Sequence, residues 1–393
     1  MLNTTLAPWP CFSEEEAEAV RQVLLSNRVN YWTGEQTRLF EQEFAVFADC
    51  RFAVALANGT LALDAAIKAL QLGPGDEVIV PPRTFIATVS AVVNAGATPV
   101  FADVDLNTQA LSADTIAPCL TSKTKAIVVV HLAGMPADMD AIMALAQQHG
   151  LWVIEDCAQA HGARYQGRSV GSLGHIAAWS FCQDKIMTTG GEGGMVTTND
   201  EALWQRVWAL KDHGKSYDAV YHQQHPAGFR WLHHSFGHNW RMMEMQAAIG
   251  RIQLQRMPDW SARRRQLAAQ LDGTAAAFPL LRRVQVPDDV LHAEYKHYFF
   301  VRPELLAAGW SRDAICQRLM AADVPCYQGS CSEVYLEQAF ADTPFRPTER
   351  LPCAKLLGET SLMLLVHPSI TDQQMEHCCN QLAEVLQQAG RSW

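Results

Sequence analysis

Short apolar runs alternate with longer segments of helical spacing between residues 52 and about 210. The runs that we predict to be strands are Phe52–Ala57, Glu77–Val80, Thr98–Val104, Ala126–His131 and Leu151–Glu155. The predicted helices between them are Leu61–Leu72, a segment after Thr84, and Asp138–Gln148, which Gly150 closes. Strands that are apolar along their whole length and separated by helices are typical of a parallel sheet covered on both faces. The pattern therefore predicts an α/β fold with a mostly parallel sheet.

The pattern changes beyond about residue 255. A charged segment of helical spacing covers Arg251–Leu271, and the elements predicted after it are a strand at Tyr298–Val301 and helices at Arg312–Ala321 and Asp372–Gln388. Near the N-terminus, Ser13 and Glu16 form an S-x-x-E capping box, which predicts a helix over Ala17–Leu25. We predict two domains, a large one over residues 1–255 and a smaller α+β domain over residues 256–393.

Composition and charge exclude several classes of protein. The chain has 393 residues, of which 49% are hydrophobic and 18% charged, so it can bury a large core and is not broadly disordered. A net charge of −10 argues against a nucleic-acid or anionic-membrane partner. The apolar runs all fall short of the roughly 18 residues that a membrane-spanning helix needs.

Cysteine usage and the start of the chain indicate a reducing compartment. Residues 1–16 contain neither a basic segment nor an apolar segment of the kind found in secretion signals, so we expect a cytoplasmic protein. The 11 cysteines are odd in number and scattered, which favours free thiols. The closest pairs, Cys326/Cys331 and Cys378/Cys379, lack zinc-site spacing, and we predict no metal site.

Candidate chemistry is concentrated between residues 153 and 196. The predicted strand there carries Glu155 and Asp156 at its end, and a second strand, ending at Phe181, delivers Ser180 and then Lys185. A glycine-rich turn, Gly190–Gly194, follows. In open α/β sheets, ligands bind beyond the carboxyl ends of the strands. These side chains are therefore candidates for one site.

The Asp156 and Lys185 pair has two interpretations. It is either a structural ion pair or a Schiff-base site for pyridoxal phosphate (PLP), where the lysine attacks the aldehyde and the aspartate keeps the pyridine nitrogen protonated. Asn58-Gly59-Thr60 opens a helix, so it is either an ordinary N-cap or a cradle for an anion such as phosphate. Phe85 follows another strand and either packs in the core or stacks on a flat ring.

Taken together, these segments resemble the DegT/StrS family of nucleotide-sugar aminotransferases, which are fold-type I PLP enzymes. The resemblance covers about residues 10–390, and the segments that carry it are ANGTLALDAAIKAL, GDEVIVPPRTFIATVSAVVNAGATPVFADVD, VHLAGMPADMDAI, IEDCAQAHGA, SFCQDK, TTGGEGGMVTTND and GHNWRMMEMQAAIGRIQL. It implies an aspartate-aminotransferase-like large domain with a seven-stranded, mostly parallel sheet, and a smaller C-terminal α+β domain.

The resemblance also implies a role for each matching residue. Lys185 would be the catalytic Schiff-base lysine and the proton shuttle. The implied cofactor contacts are Asp156 to the pyridine nitrogen, Gln159 to the 3′-oxygen, Gly59, Thr60 and Ser180 to the phosphate, and Phe85 to the ring. Asn239 would reach the phosphate of the neighbouring subunit's cofactor, which implies a homodimer with shared active sites.

Two segments depart from the family's usual pattern. Cys182-Gln183-Asp184 precedes the lysine and Ile186 follows it, where other residues are common in the family. In the predicted small domain, Cys326–Cys331 stands where a His-Tyr-Pro motif is often found. Because that region shapes the sugar pocket, the identity of the sugar does not transfer. We interpret His161 as a packed residue and His222, His225, His233, His234 and His238 as a polar loop near the active site rather than metal ligands.

The expected activity is transfer of an amino group from glutamate or glutamine to a nucleotide-linked keto-deoxy sugar, through a pyridoxamine phosphate (PMP) intermediate. Surface polysaccharide such as O-antigen, and hence lipopolysaccharide, is the expected destination. Alternatives are a keto-cyclitol or antibiotic-sugar acceptor, a PLP/PMP-dependent sugar dehydratase, and a non-catalytic regulatory protein. Related dehydratases carry His in place of the Schiff-base lysine, so Lys185 argues against that alternative.

Overall fold

A computed structural model describes residues 5–391 of the chain. The start of the segment used to predict the absence of a secretion signal, Met1–Thr4, lies outside the described residues, as do Ser392 and Trp393. The helices are α1 Glu14–Leu25, α2 Gln36–Phe47, α3 Gly59–Ala69, α4 Ala87–Asn94, α5 Ala113–Ile116, α6 Met139–His149, α7 Glu201–Lys211, α8 Tyr217–Tyr221, α9 Glu244–Ala275, α10 Arg312–Ala321, α11 Pro352–Thr360 and α12 Asp372–Ala389.

The strands form three sheets. They are β1 Phe52–Leu56, β2 Glu77–Val80, β3 Thr98–Phe101, β4 Thr124–Val130, β5 Trp152–Asp156, β6 Arg164–Tyr165, β7 Arg168–Ser169, β8 Ile176–Ser180, β9 Gly194–Thr198, β10 Leu281–Arg283, β11 Val290–Leu291, β12 His297–Val301, β13 Cys326–Tyr327 and β14 Ser361–Leu364. The strand orders are β1-β9-β8-β5-β4-β2-β3, β10-β12-β14-β13 and β11-β6-β7.

The largest sheet confirms the predicted seven-stranded, mostly parallel architecture. Strands β3, β2, β4, β5 and β8 run parallel to one another, whereas β9 runs antiparallel to both β8 and β1. Apolar side chains cover both faces: Phe40, Phe44, Ile127 and Trp179 on one, and Leu56, Leu63, Val78 and Trp208 on the other. Burial on both faces explains why these strands are apolar throughout rather than alternating.

The predicted helix ends are largely confirmed. Helix α1 starts at Glu14, because the Ser13 N–H donates to Glu16 Oε2 over 2.7 Å in the predicted capping box. Gln253 and Arg256 of α9 also donate to the Glu16 carboxylate, at 2.7 and 3.1 Å, so the cap ties the first helix to the long one. Gly150 ends α6 with φ of 64°, a conformation that glycine adopts without strain.

The C-terminal third forms a four-stranded antiparallel sheet with α10 and α12 packed on it. Helix α9 begins at Glu244 and runs without interruption to Ala275, so the predicted boundary at residue 255 falls inside one helix. The division into domains at that residue stays a prediction. None of the helices between residues 5 and 391 combines the length and the apolar character needed to cross a bilayer. The cysteines are free thiols, as predicted.

A buried chain of ionisable groups joins α9 to the start of β12 in this sheet. His297 Nδ1 lies 3.1 Å from Glu294 Oε2, and His297 Nε2 lies 3.4 Å from Asp272 Oδ1. Burial alone would lower the pKa of His297, but the carboxylates of Glu294 and Asp272 raise it to about 9. The imidazolium is therefore the stable form in the folded protein at neutral pH.

We expect His297→Gln to destabilise the protein most at low pH. A histidine whose folded pKa is raised from about 6.5 contributes stability that is fully present below pH 6.5 and is lost as pH rises through about 9. The difference in the free energy of unfolding between wild type and variant, measured in urea, should be larger at pH 6.5 than at pH 9.5. The exposed His149→Gln is the control. An equal difference at both pH values would contradict the assignment.

Candidate active site at the carboxyl ends of the strands

Consecutive carboxylates at the end of β5 point to opposite faces of the sheet. Glu155 Oε2 lies 2.9 Å from His131 Nε2, and the backbone N–H groups of residues 171, 173 and 174 donate to the same carboxylate. Asp156 lies on the other face, where it accepts hydrogen bonds from Thr88 Oγ1 at 2.8 Å and from the Ala158 N–H at 3.1 Å. Burial raises the pKa of Asp156, while these bonds and the charge of Lys185 oppose the rise.

Lys185 lies in the loop after β8 and is half-buried. Its backbone carbonyl accepts a hydrogen bond from Trp9 Nε1 at 2.8 Å, and its Nζ lies 5.2 Å from the centre of the Tyr295 ring. The Tyr295 hydroxyl donates to Asp184 Oδ2 over 2.6 Å. The loop that carries the lysine is therefore fastened to the segment that precedes β12.

The start of α3 lies against the ends of β8 and β9. Gly194 is the register partner of both Leu56 and Ser180. A Cβ at Gly59 would lie 2.5 Å from Ser180 Cβ, and one at Gly194 would lie 2.2 Å from the Asn58 carbonyl oxygen, so only glycine fits at either position. The last glycine of the Gly190–Gly194 turn therefore lies directly against the start of α3.

This arrangement suits an anion. Asn58 Oδ1 accepts the Leu61 N–H at 3.0 Å, which leaves the N–H groups of Gly59 and Thr60 without partners inside the helix. Together with the Ser180 hydroxyl and the positive end of the helix dipole, they form a cradle whose donor set matches a phosphate group. The structure therefore brings together the three residues predicted to hold the cofactor phosphate.

Gln159 belongs to the same cluster. Its Oε1 accepts the Ala133 N–H at 2.7 Å, and the Ala133 carbonyl accepts the Tyr295 N–H at 2.9 Å. In contrast, Phe85 is 69% exposed, and the Asn239 side chain is exposed on the segment before α9. Their predicted contacts, with a cofactor ring and with a neighbouring subunit, stay predictions.

His161 is fully buried among Phe44, Trp179 and Phe181, which confirms its interpretation as a packed residue. Burial, aided by the charges of Lys185 and Arg264, lowers its pKa to about 3, so the ring is neutral. The loop histidines have separate partners: His222 faces Asp218, His225 bonds the Ala219 carbonyl, and His238 stacks on Trp240.

The group His131, Glu155 and Cys157 is the cluster in which metal-ligating atoms lie closest together, within 4.8 Å, in the described part of the chain. His131 Nδ1 accepts the Ala137 N–H, so Nε2 carries the proton that it shares with Glu155. The Glu155 oxygens are already occupied by this bond and the three backbone donors. Because the acceptor atoms of His131 and Glu155 are already engaged in hydrogen bonds, these two residues form a structural hydrogen-bond network.

Comparison with known proteins gives the family. The model of the DegT/DnrJ/EryC1/StrS aminotransferase family matches residues 10–383. The chain belongs to this family. The assignment confirms the predicted enzyme class, an aminotransferase of EC class 2.6.1, and its dependence on PLP and PMP.

Similar proteins cover most of the chain. A UDP-N-acetyl-3-dehydro-alpha-D-glucosamine 3-aminotransferase of Acidithiobacillus ferrooxidans is 39% identical over 87% of this chain and 86% of its own length. A GDP-perosamine synthase of Escherichia coli O157:H7 is 34% identical over 95% of this chain and 96% of its own length. The crystal structure of an aminotransferase from Psychrobacter cryohalolentis is 58% identical, with a TM-score of 0.96 over 97% of this chain and 99% of that one. The predicted aminotransferase fold is thereby confirmed.

Several residues near Lys185 were missed by sequence reasoning. Thr88 follows Thr84 by four residues, about one helical turn. This spacing indicates that the two hydroxyl groups lie on the same face, where their oxygens are 2.8 Å apart. Tyr295, Lys296 and Arg264 lie far away in the sequence, and no local pattern indicates that they approach Lys185. The pairing of the Ala133 segment with the Tyr295 segment brings Tyr295 and Lys296 there, and Arg264 of α9 bonds the backbone carbonyls of residues 294 and 295.

We expect Gly59→Ala to weaken PLP binding by about tenfold or more, because the new Cβ forces α3 away from Ser180. Fluorescence titration of the cofactor-free protein with PLP measures the dissociation constant. Gly273→Ala is the matched control, since that glycine is also helical and has open space around its Cβ position. Equal PLP affinity of the Gly59 variant and wild type would contradict the proposed phosphate cradle.

Proposed function

We propose that this aminotransferase moves an amino group from glutamate or glutamine to a nucleotide-linked keto-deoxy sugar, in the cytoplasm, for surface polysaccharide such as O-antigen. The observation that carries the proposal is the convergence of Asp156, Gln159, Ser180 and the start of α3 around Lys185. The two curated relatives named above support a nucleotide-linked sugar, since one acts on a UDP-linked sugar and the other makes a GDP-linked one.

The anion cradle and the buried Asp156 carboxylate support a PLP site. The phosphate would be held by Gly59, Thr60 and Ser180, and the pyridine nitrogen by Asp156. Gln159 would bond the 3′-oxygen, Phe85 would cover one face of the ring, and Asn239 of a neighbouring subunit would complete the phosphate site. When bound, PLP accepts the amino group of the donor and hands it to the acceptor.

The chain's own residues supply positioning and proton transfer. In the half-reaction with the donor, Lys185 Nζ takes the proton from Cα of the donor. In the half-reaction with the sugar, which runs in the opposite direction, it returns a proton to the acceptor carbon that receives the amino group. Thr88 and the Ala158 N–H orient the Asp156 carboxylate, and burial keeps water away from it. The Trp9 and Asp184–Tyr295 hydrogen bonds hold the lysine loop in place.

We expect Lys185→Ala to abolish multiple turnover. The variant lacks the amine that accepts the proton, so formation of amino sugar, followed by mass spectrometry, should stop at or below one product per subunit. Lys185→Arg keeps the positive charge and should be equally inactive. Multiple turnovers by the alanine variant would contradict the role of Lys185. A panel of UDP-, dTDP- and GDP-linked amino sugars, screened by the change in PLP absorbance, would identify the product.

Shared active sites predict complementation between inactive variants. Lys185→Ala and Asn239→Ala should each be inactive alone. A mixed dimer contains one site with both residues intact, so random reassociation of an equal mixture should restore roughly one quarter of wild-type activity. Size-exclusion chromatography with light scattering checks the dimer. Activity no higher in the mixture than in the single variants would contradict the shared site.

A further inference from the structure

Three cationic side chains lie close together around the Tyr295 segment beside Lys185. Lys296 Nζ lies 4.7 Å from the centre of the Tyr295 ring, to which Lys185 Nζ is 5.2 Å away. Arg264 lies behind the same segment, where its Nη1 bonds the carbonyls of residues 294 and 295 at 3.3 Å. Asp184 faces all three cations, while Glu294 also faces Arg264 and Asp156 also faces Lys185.

Asp184 does not neutralise Lys296 fully. Its Oδ2 is occupied by the Tyr295 hydroxyl at 2.6 Å, whereas Lys296 Nζ stays 3.9 Å from the same oxygen. Within the described residues, Nε and Nη2 of the buried Arg264 have no hydrogen-bond partner. The Glu294 carboxylate lies against His292 and His297 instead of these Arg264 nitrogens. A buried cation with unsatisfied donors is costly, which favours binding of an anion beside this cluster.

The pKa shifts of the neighbouring groups agree with a positive local potential. Burial, together with Arg264 and Lys185, lowers the pKa of Lys296 to about 8 even though Asp184 opposes the shift. Burial, together with Arg264 and Lys296, lowers the pKa of His367 to about 3. The Lys296 side chain is still 14% exposed, so its ammonium can reach a ligand, which Arg264 cannot.

The reaction dictates which anion comes closest. The donor amine must be delivered next to Lys185, and in an amino acid the carboxylate is attached to the same carbon as that amine. The diphosphate of a nucleotide sugar is separated from the reacting carbon by the sugar ring. The carboxylate of the donor is therefore the anion that falls within reach of a cation beside the Tyr295 ring.

We propose that Lys296 binds the α-carboxylate of the amino donor, and that Arg264 reinforces it from behind. This assignment rests on the proposed function and extends it, because it makes the donor an α-amino acid rather than a simple amine. Lys296 acts in the half-reaction with the donor and not in the half-reaction with the sugar. A loss confined to the half-reaction with the donor would therefore distinguish carboxylate binding by Lys296 from a general effect on the fold.

The test is Lys296→Met in the PLP-loaded enzyme. We expect the concentration of L-glutamate that gives half-maximal loss of PLP absorbance to rise by about tenfold or more. The corresponding concentration of nucleotide-linked amino sugar should stay unchanged. Lys296→Arg should recover most of the glutamate affinity, because it keeps the charge. Succinate, titrated by calorimetry as an unreactive dicarboxylate, should bind wild type about tenfold more tightly than Lys296→Met.

Lys125→Met, which removes an exposed lysine near the start of β4, is the control and should behave as wild type. Unchanged glutamate dependence in Lys296→Met would overturn the proposal. A shift confined to the amino sugar would also overturn it and would place the diphosphate at Lys296. If wild type reacts with neither glutamate nor any amino sugar, the proposed function fails, while the succinate titration still decides whether Lys296 binds a carboxylate.

Discussion

Strand β5 carries two adjacent carboxylates into the interior, and each must be compensated on its own face of the sheet. Glu155 is satisfied by His131 and by three backbone donors of the 171–174 turn, which fixes the chain before β8. Asp156 accepts hydrogen bonds from Thr88 and from the Ala158 N–H, and the positive charge of Lys185 stabilises its charged form. One carboxylate is thus structural, and the other is free to meet a ligand, because alternation in a strand sends them apart.

The C-terminal third reaches Lys185 through a short segment before β12. The segment at 293–295 pairs with Ala133 and Gly134, which places Tyr295 over Lys185 and Lys296 beside it. A Cβ at Gly134 would lie 2.8 Å from Ala293 Cβ, so the close pairing depends on a glycine there. Strand β11 makes a second link by pairing with β6. The segment before β12 therefore brings residues of the C-terminal third to the loop that carries Lys185.

Two segments that depart from the usual family pattern have defined hydrogen-bond partners in the structure. Asp184 receives the Tyr295 hydroxyl, which gives the unusual residue before Lys185 a structural partner. The segment Cys326–Cys331 begins in β13, at the edge of the small sheet, where Ser330 bonds Tyr298.

The sequence by itself determined most strands of the large sheet and the helix ends that carry local caps, and it placed Asp156, Ser180 and Lys185 after strand ends. Strands buried on both faces are continuously apolar, caps are local, and Asp156, Ser180 and Lys185 follow strands whose ends must meet at one edge. The tertiary structure decided the pairs that join distant segments, such as Tyr295 with Asp184 and Lys296 beside Lys185. Such contacts depend on how the C-terminal third packs against the large sheet. The periodicity of apolar residues and the spacing of motifs in the sequence do not indicate this packing.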